Sequence, residues 1–364
     1  MYAIRNIEEI DSPALVVYEE LVRENIWLAI EMAGGVDKLR PHVKTHKMYE
    51  VCRMMLNRGI TKFKCATLAE AETLAMAAAP DVLLAYQPVG PKVGRLLNLV
   101  GTYPDSRFSC LIDNWESARA IDEVFGSSSF VAEVFIDVNV GMNRTGIPPA
   151  QAVGLAQALL PLRHLRLVGL HGYDGHIHDT DLKQRQTAAD ASFAALDNVY
   201  QSVLPLFAYP LIRVMGGTPT FPLHVHRPGV ECSPGTFVFW DGGYREAFPD
   251  MPFRYAALVI SRVISVIDER RICLDLGHKS VASESPLPRV HFLNAPDVTP
   301  VAHSEEHLVA ETPDSRLYPP GTVLYGVPVH ICPTVALYEK AFVVRGGEVT
   351  TTWMVNARNR FITI

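Results

Sequence analysis

Residues 40–47 read RPHVKTHK, which sets two lysines, two histidines and an arginine together in a chain that is 48% apolar. A lysine amine is a nucleophile toward carbonyl groups when desolvation or neighbouring cations suppress its charge, and this octet supplies both an amine and cations. Lys44 and Lys47 both qualify. If the octet begins as a strand, alternation places His42 and Lys44 on one face and Val43 on the other, so Lys44 is expected to point inward and Lys47 to cap or lie on the following helix. A second pair, His330-Ile331-Cys332, lies far along the chain. If that segment is extended, an imidazole and a thiolate two positions apart project to one side and can bind one metal ion. Arg144 in DVNVGMNRTG, and Tyr173 and His176 in GLHGYDGHIH, add further polar groups, with His176 a candidate general base. The turns Gly216-Gly217-Thr218 and Gly235-Thr236 suit a phosphate, because glycine lets backbone N–H groups approach the oxygens closely. His178 beside His176, and the pair His224 and His226, have metal-ligand spacing but equally suit polar loops. His303 and His307 are expected near a surface, and Lys279 has no assigned role.

Something must bring these positions together. Apolar runs bounded by turn signals predict strands over 39–43, 62–67, 82–86, 107–112, 130–138, 165–173, 211–216 and 230–235. Helical patterns separate several of them, at 67–79, 114–125, 149–160 and 181–204. Near-continuous apolar strands alternating with helices describe a parallel sheet covered on its outside, and eight such units closing on themselves make a (β/α)8 TIM barrel, whose chemistry sits at the carboxyl ends of the strands. Lys44, Arg144, Tyr173, His176 and both glycine turns all fall at such ends. An open nucleotide-binding sheet would want Gly-x-Gly-x-x-Gly after its first strand, where this chain has KTHK. Beyond residue 250 the rhythm changes to short alternating runs with little helix, which predicts an all-β C-terminal domain. The expected division is an N-terminal strand in 1–18 that pairs with the β-domain, a barrel over 19–250 and the β-domain over 251–364.

Charged residues make up 20% of the chain and the net charge is −6, which argues against a nucleic-acid-binding surface. No stretch reaches the roughly 20 uninterrupted apolar residues of a membrane span, and the start has no signal-peptide pattern, so a cytoplasmic protein is expected. The six cysteines form no Cys-x-x-Cys pair, so reduced thiols are expected rather than a zinc ribbon or a redox pair.

In order along the chain, RPHVKTHK, VGMNRTG, GYDGHIH, MGGTPT, CSPGTFVFWDGG, DLGHKSVASE and HICPTV resemble the D-threonine aldolase and eukaryotic-type D-serine dehydratase family, relatives of alanine racemase among the fold type III pyridoxal phosphate enzymes. The matches run from residue 12 to about 340. The resemblance implies a pyridoxal 5'-phosphate barrel of alanine racemase type followed by a β-domain, with Lys44 as the Schiff-base lysine. It places Arg144 near the cofactor's phenolic oxygen, Tyr173 beside the lysine link, and Gly217, Thr218, Gly235 and Thr236 around the phosphate. Where the racemase pattern has an arginine facing the pyridine nitrogen this chain has Ser233, which argues against a racemase. The family's dehydratases bind zinc through a His-x-Cys pair, whereas its aldolases carry an aspartate in the third place and use manganese or a similar ion. Cys332 departs from the aldolase pattern and favours a softer metal such as zinc, with manganese or magnesium as alternatives. Where the family's loop often has glutamine and histidine, this chain has Ile177, His178 and Asp179, leaving His176, His178 or a water on the metal as the base. The implied activity is retro-aldol cleavage of a β-hydroxy-D-amino acid to glycine and an aldehyde. The alternatives are D-serine dehydration to a keto acid and ammonia, an amino-acid racemase, and a non-catalytic cofactor-binding barrel, against which the full second domain tells. A homodimer with both domains contributing to each site is also implied.

Overall fold

After β1 (Ala14–Tyr18), seven strands follow as β2 (Lys62–Cys65), β3 (Asp81–Leu84), β4 (Arg107–Ile112), β5 (Ala132–Val138), β6 (Leu165–Gly172), β7 (Ile212–Met215) and β8 (Val230–Cys232). From β2 to β8 each pairs in parallel with its neighbour in chain order. The structure, a computed structural model, describes residues 2–364. These strands belong to a barrel unit made of Ala29–Lys44, Cys52–Gly235 and Asn359–Ile364. A second unit comprises the chain up to Leu28, Thr45–Val51 and Thr236–Arg358.

The segment 39–43, expected as a full strand, is instead a pair of isolated bridges. Leu39 bridges Cys232 of β8 and His42 bridges Lys64 of β2, both in parallel, so the segment closes the ring between the last strand and the first. Its backbone N–H groups at Arg40, His42 and Val43 donate to Cys232, Pro234 and Lys64 carbonyls at 2.8, 2.9 and 2.9 Å. Pro41 has no N–H to give, which interrupts the ladder. A side chain compensates. The Arg40 guanidinium is fully buried and meets Asp81 of β3 at 2.5 and 3.1 Å and Glu231 of β8 at 2.7 Å, fastening the segment at the amino ends of the strands.

Strand alternation sorts the barrel interior into two levels. Leu83, Leu111, Phe135, Val168 and Val214, from five successive strands, form an apolar cluster. Asp137 stands two residues beyond Phe135 and in register with His171 of β6, while Lys64 of β2 is in register with Leu83, so these three polar residues share the interior face. Outside, helices shield the sheet in the expected amphipathic way. Helix Trp115–Phe125, for example, buries Ala118, Ile121 and Phe125, and the Asn114 side chain caps it by accepting from Ser117 N–H.

In the second unit the remaining strands are β9 (Ala257–Val266), β10 (Arg271–Leu274), β11 (Val290–Phe292), β12 (Thr299–His303), β13 (Leu308–Glu311), β14 (Val323–Pro328), β15 (Lys340–Arg345) and β16 (Glu348–Met354). β1 lies between β9, antiparallel, and β15, parallel, and all five of its residues are buried, which is why it reads as an unbroken apolar run. Val259, Ile272, Leu274, Val290, Leu308 and Leu324 anchor this unit's core. The stretch from Ile331 to Leu337 is a helix with His330 at its N-cap, not the extended segment expected from the alternating rhythm around it.

Candidate active site

Three residues singled out on separate parts of the chain meet in the barrel unit. Lys44 Nζ lies 5.9 Å and Arg144 Cζ 5.1 Å from the centroid of the Tyr173 ring. A third cation joins them, Lys64, with Nζ 5.6 Å from the same centroid. The ring is lodged between two glycines: a Cβ on Gly175 would fall 2.2 Å from it, and one on Gly217 would fall 3.1 Å from it. His176 is exposed and rests on Gly141, whose φ is +124° and where any Cβ would lie 2.6 Å from His176 Nε2. The loop carrying Arg144 and the loop carrying His176 are therefore packed together, whereas His178 is simply exposed. The two candidate lysines part company. Lys44 ends a segment of the barrel unit, and Lys47 belongs to the second unit, has a left-handed φ of 55° and accepts the Ala357 N–H at its carbonyl.

The two glycine turns are tied to one another. Thr218 Oγ1 accepts the Gly235 N–H at 2.9 Å, and Gly217 N–H donates to Thr220 Oγ1 at 3.3 Å. Thr220 in turn donates to Asp174 Oδ1 at 2.8 Å, and the other oxygen of Asp174 takes His224 Nε2 at 2.8 Å. Arg227 Nε donates to His224 Nδ1 at 3.0 Å, which makes Nδ1 an acceptor and leaves the hydrogen on Nε2. His224 is thus neither a loop histidine nor a ligand paired with His226, but a buried strut behind the Gly216-Gly217 turn. Ser233 Oγ is buried and has no partner in the protein.

A row of charged groups that sequence reading missed fills the barrel's polar level. Lys64 Nζ lies 2.8 Å from His171 Nε2, and His171 Nδ1 lies 2.7 Å from Asp137 Oδ1. Asp137 Oδ2 accepts from Gln87 at 3.0 Å and from Thr145 at 2.9 Å. Burial, and then the positive charge of Lys44, pull the Lys64 ammonium down to about 7 against the pull of Asp137 and Asp174. Burial and the Lys64 charge also lower His171, while Asp137 works the other way. Asp137 is raised by burial, but the hydrogen bonds from His171, Thr145 and Gln87 outweigh that and hold it below its ordinary value. The only signal of this row in the sequence is a lysine, an aspartate and a histidine each near the carboxyl end of a strand, at a position whose neighbours on either side are apolar or glycine.

In the second unit, Cys332 Sγ is approached by Thr45 Oγ1 at 3.1 Å and Thr236 Oγ1 at 3.6 Å. His330 Nδ1 meets Glu284 Oε1 at 2.5 Å, which leaves Nε2 to face a different partner. Burial lowers His330, but contact with Cys332 and then Glu284 and Asp241 outweigh it and push the imidazole up to about 9. Among the described residues, no group of three or more His, Cys, Asp or Glu side chains is arranged to hold a metal. Among them also, no helix is long and apolar enough to cross a membrane.

Comparisons to known proteins bear on the fold and the family. The model of the alanine racemase N-terminal domain matches residues 19–241, and a domain family named for serine dehydratase matches residues 256–344. The chain belongs to the alanine racemase N-terminal domain family, and it is an enzyme with the alanine racemase-like fold of a barrel and a β-domain. It is 27% identical over 359 residues to the D-threonine aldolase of Arthrobacter sp, covering 97% of this chain and 94% of that one. It is 25% identical over 366 residues to the 3-hydroxy-D-aspartate aldolase of Paracoccus denitrificans, covering 97% and 93%. The crystal structure of D-threonine aldolase from Filomicrobium marinum superposes with a TM-score of 0.88 at 26% identity, over 96% of this chain and 95% of that one.

Proposed function

We propose that the protein is a pyridoxal 5'-phosphate- and metal-dependent lyase that cleaves a β-hydroxy-D-amino acid to glycine and an aldehyde. The observation that carries this reading is the meeting of Lys44, Arg144 and Tyr173 at the strand ends, beside turns whose glycines lodge the tyrosine ring. The residues present fit the cofactor: the buried Ser233 hydroxyl lacks a protein partner, as a group facing a pyridine nitrogen would before its ligand is counted. Lys44 is the amine that condenses with the aldehyde. Arg144 neutralises the phenolic oxygen, Tyr173 supports the ring, and Gly217, Thr218, Gly235 and Thr236 receive the phosphate. When bound, the cofactor supplies an electron sink for charge that develops at the substrate's α-carbon. His176, exposed on the loop that follows Tyr173, takes or returns a proton at the substrate's edge.

His330 and Cys332 are the two metal ligands in this reading, and zinc is the favoured ion, with manganese or magnesium as alternatives. Glu284 on Nδ1 supports it, because a carboxylate behind a ligating histidine fixes the ring with Nε2 toward the ion. A divalent ion there supplies polarisation of the substrate's β-hydroxyl. The functional protein is a homodimer in the cytoplasm.

One observation favours a second reading, dehydration to a keto acid and ammonia. Solved structures of D-threo-3-hydroxyaspartate dehydratase include a histidine mutant and a cysteine mutant, the latter in the metal-free form, altered at positions two apart as His330 and Cys332 are. Incubating the purified protein with D-threonine, D-serine and 3-hydroxy-D-aspartate separates the two. Glycine plus an aldehyde supports the aldolase, keto acid plus ammonia supports the dehydratase, and inactivity toward all three overturns both.

A further inference from the structure

We propose that Lys64, His171 and Asp137 form a proton relay inside the barrel, and that Lys64 is a positioning residue that controls the charge on Lys44. The inference rests on the reading of Lys44 as the cofactor's amine.

The geometry allows two arrangements of one proton. In the first, Lys64 is an ammonium that donates to His171 Nε2, and the neutral imidazole donates from Nδ1 to Asp137, across 2.8 and 2.7 Å. In the second, the proton has crossed to Nε2, Lys64 is a neutral amine that accepts from it, and the imidazolium donates to Asp137 from its other nitrogen. Both carry one positive and one negative charge, so the trio as a whole stays neutral. The difference is where the positive charge sits: in one arrangement it faces the Tyr173 ring alongside Lys44, and in the other it has withdrawn toward Asp137. Burial disfavours the cation on Lys64 and on His171 alike.

An ordinary lysine is almost wholly protonated at neutral pH, with on the order of one amine in a thousand available to attack a carbonyl. A like charge nearby raises that fraction, and a charge that can withdraw after condensation avoids leaving an unpaired buried cation. Lys64 is placed for this. It is 3% exposed, so solvent does little to screen it. The charged and titratable groups packed around it are Arg40 on the closing segment, Lys44, Asp137 on β5, Arg144 on the loop that follows, His171 on β6, and Tyr173 and Asp174 beyond it. Arg40 is matched by Asp81 and Glu231, so among the cations near Tyr173 it is Lys64 whose charge the relay can move.

The test uses the full-length apoprotein and pyridoxal 5'-phosphate as the probe, following the visible absorbance of the lysine adduct from about pH 6 to about pH 10. Lys64→Gln removes the cation and Asp137→Asn removes the anion that keeps a proton on the trio, so each should slow the reaction of Lys44 with the aldehyde at neutral pH. The expected result is adduct formation about tenfold slower at neutral pH in both variants, recovering when the pH is raised by about one unit, with Lys64→Arg keeping the wild-type profile. Asp137→Asn leaves the Lys64 amine in place and carries the test alone if Lys64→Gln does not fold. Unmoved profiles, or a slowdown equal at every pH, would overturn the relay and leave Lys64 a packing residue. Borohydride reduction of the wild-type adduct and peptide mapping keep the two readings apart: a label away from Lys44 refutes the cofactor assignment, whereas a label on Lys44 with unmoved profiles refutes only the relay.

Discussion

Asp174 offers a sharp test of how the glycine turn is held. Its carboxylate is buried and accepts from Thr220 Oγ1 and His224 Nε2, both at 2.8 Å. Asp174→Asn keeps the shape but replaces one acceptor oxygen with an NH2 group. If the amide oxygen faces Thr220, the NH2 faces the N–H of His224. The imidazole cannot escape by moving its hydrogen to Nδ1, because Arg227 Nε already donates there at 3.0 Å. Turning the amide over gives its oxygen to His224 but sets its NH2 on Thr220 Oγ1, whose own hydrogen then loses its acceptor. One buried mismatch together with the loss of a charge-assisted bond costs about 2–3 kcal/mol. Thr220 receives the Gly217 N–H, so part of that cost is spent loosening the turn expected to hold the phosphate. If about 2 kcal/mol of it reaches the binding step, the affinity of the apoprotein for pyridoxal 5'-phosphate falls about 30-fold, measured by absorbance or fluorescence titration. Adding Arg227→Ala should recover part of the loss, because Nδ1 can then carry the hydrogen, and the double-mutant cycle reads out that coupling. Wild-type cofactor affinity and thermal stability in Asp174→Asn would refute the reasoning.

Other consequences are as direct. Lys44→Ala should abolish the visible absorbance of the cofactor-loaded protein while Lys47→Ala retains it; the reverse result would reassign the amine. Cys332→Ala should lower bound metal, read by elemental analysis, without loss of cofactor, and unchanged metal content would make the thiol a packing group. Arg40→Met removes the buried cation that joins Asp81 to Glu231, leaving Glu231 to Lys62 alone, and should destabilise the protein by about 2–3 kcal/mol in denaturant titration. Burial pulls the His46 imidazole down to about 3, below its unfolded value near 6.5, so the stability it supports is complete above about pH 6.5 and is lost as the pH falls toward 3. That loss is on the order of 4–5 kcal/mol, and His46→Phe should flatten this part of the stability curve in acid titration.

The barrel strands were legible because burial on both faces leaves runs rich in apolar residues: RFSCLI is the observed β4, and the others differ only at their ends. Segment 39–43 was legible as a stave but not as a pair of bridges, since its anchoring depends on Arg40 reaching carboxylates 41 and 191 residues away. The helix at Ile331–Leu337 was missed because Pro333 and flanking β-runs imitate an extended stretch, whereas proline is tolerated in a helix's first turn. Of the site, Lys44, Arg144 and Tyr173 stood out because they occupy strand ends in polar loops. Lys64, Asp137 and His171 did not, because each is flanked by apolar residues or glycine within its strand and acquires meaning only when β2, β5 and β6 curl to face one another.

The way Pro41 interrupts the ladder bears on how freely Lys44 can move. Seven staves are laced edge to edge, but the one that ends in Lys44 is stitched at single points and clamped at its far end by a guanidinium. Such a stave is compliant at its tip and rigid at its root. Its amides should exchange with solvent deuterium through smaller openings than those of β4 to β6, and Lys44 can shift without shearing the rest of the wall.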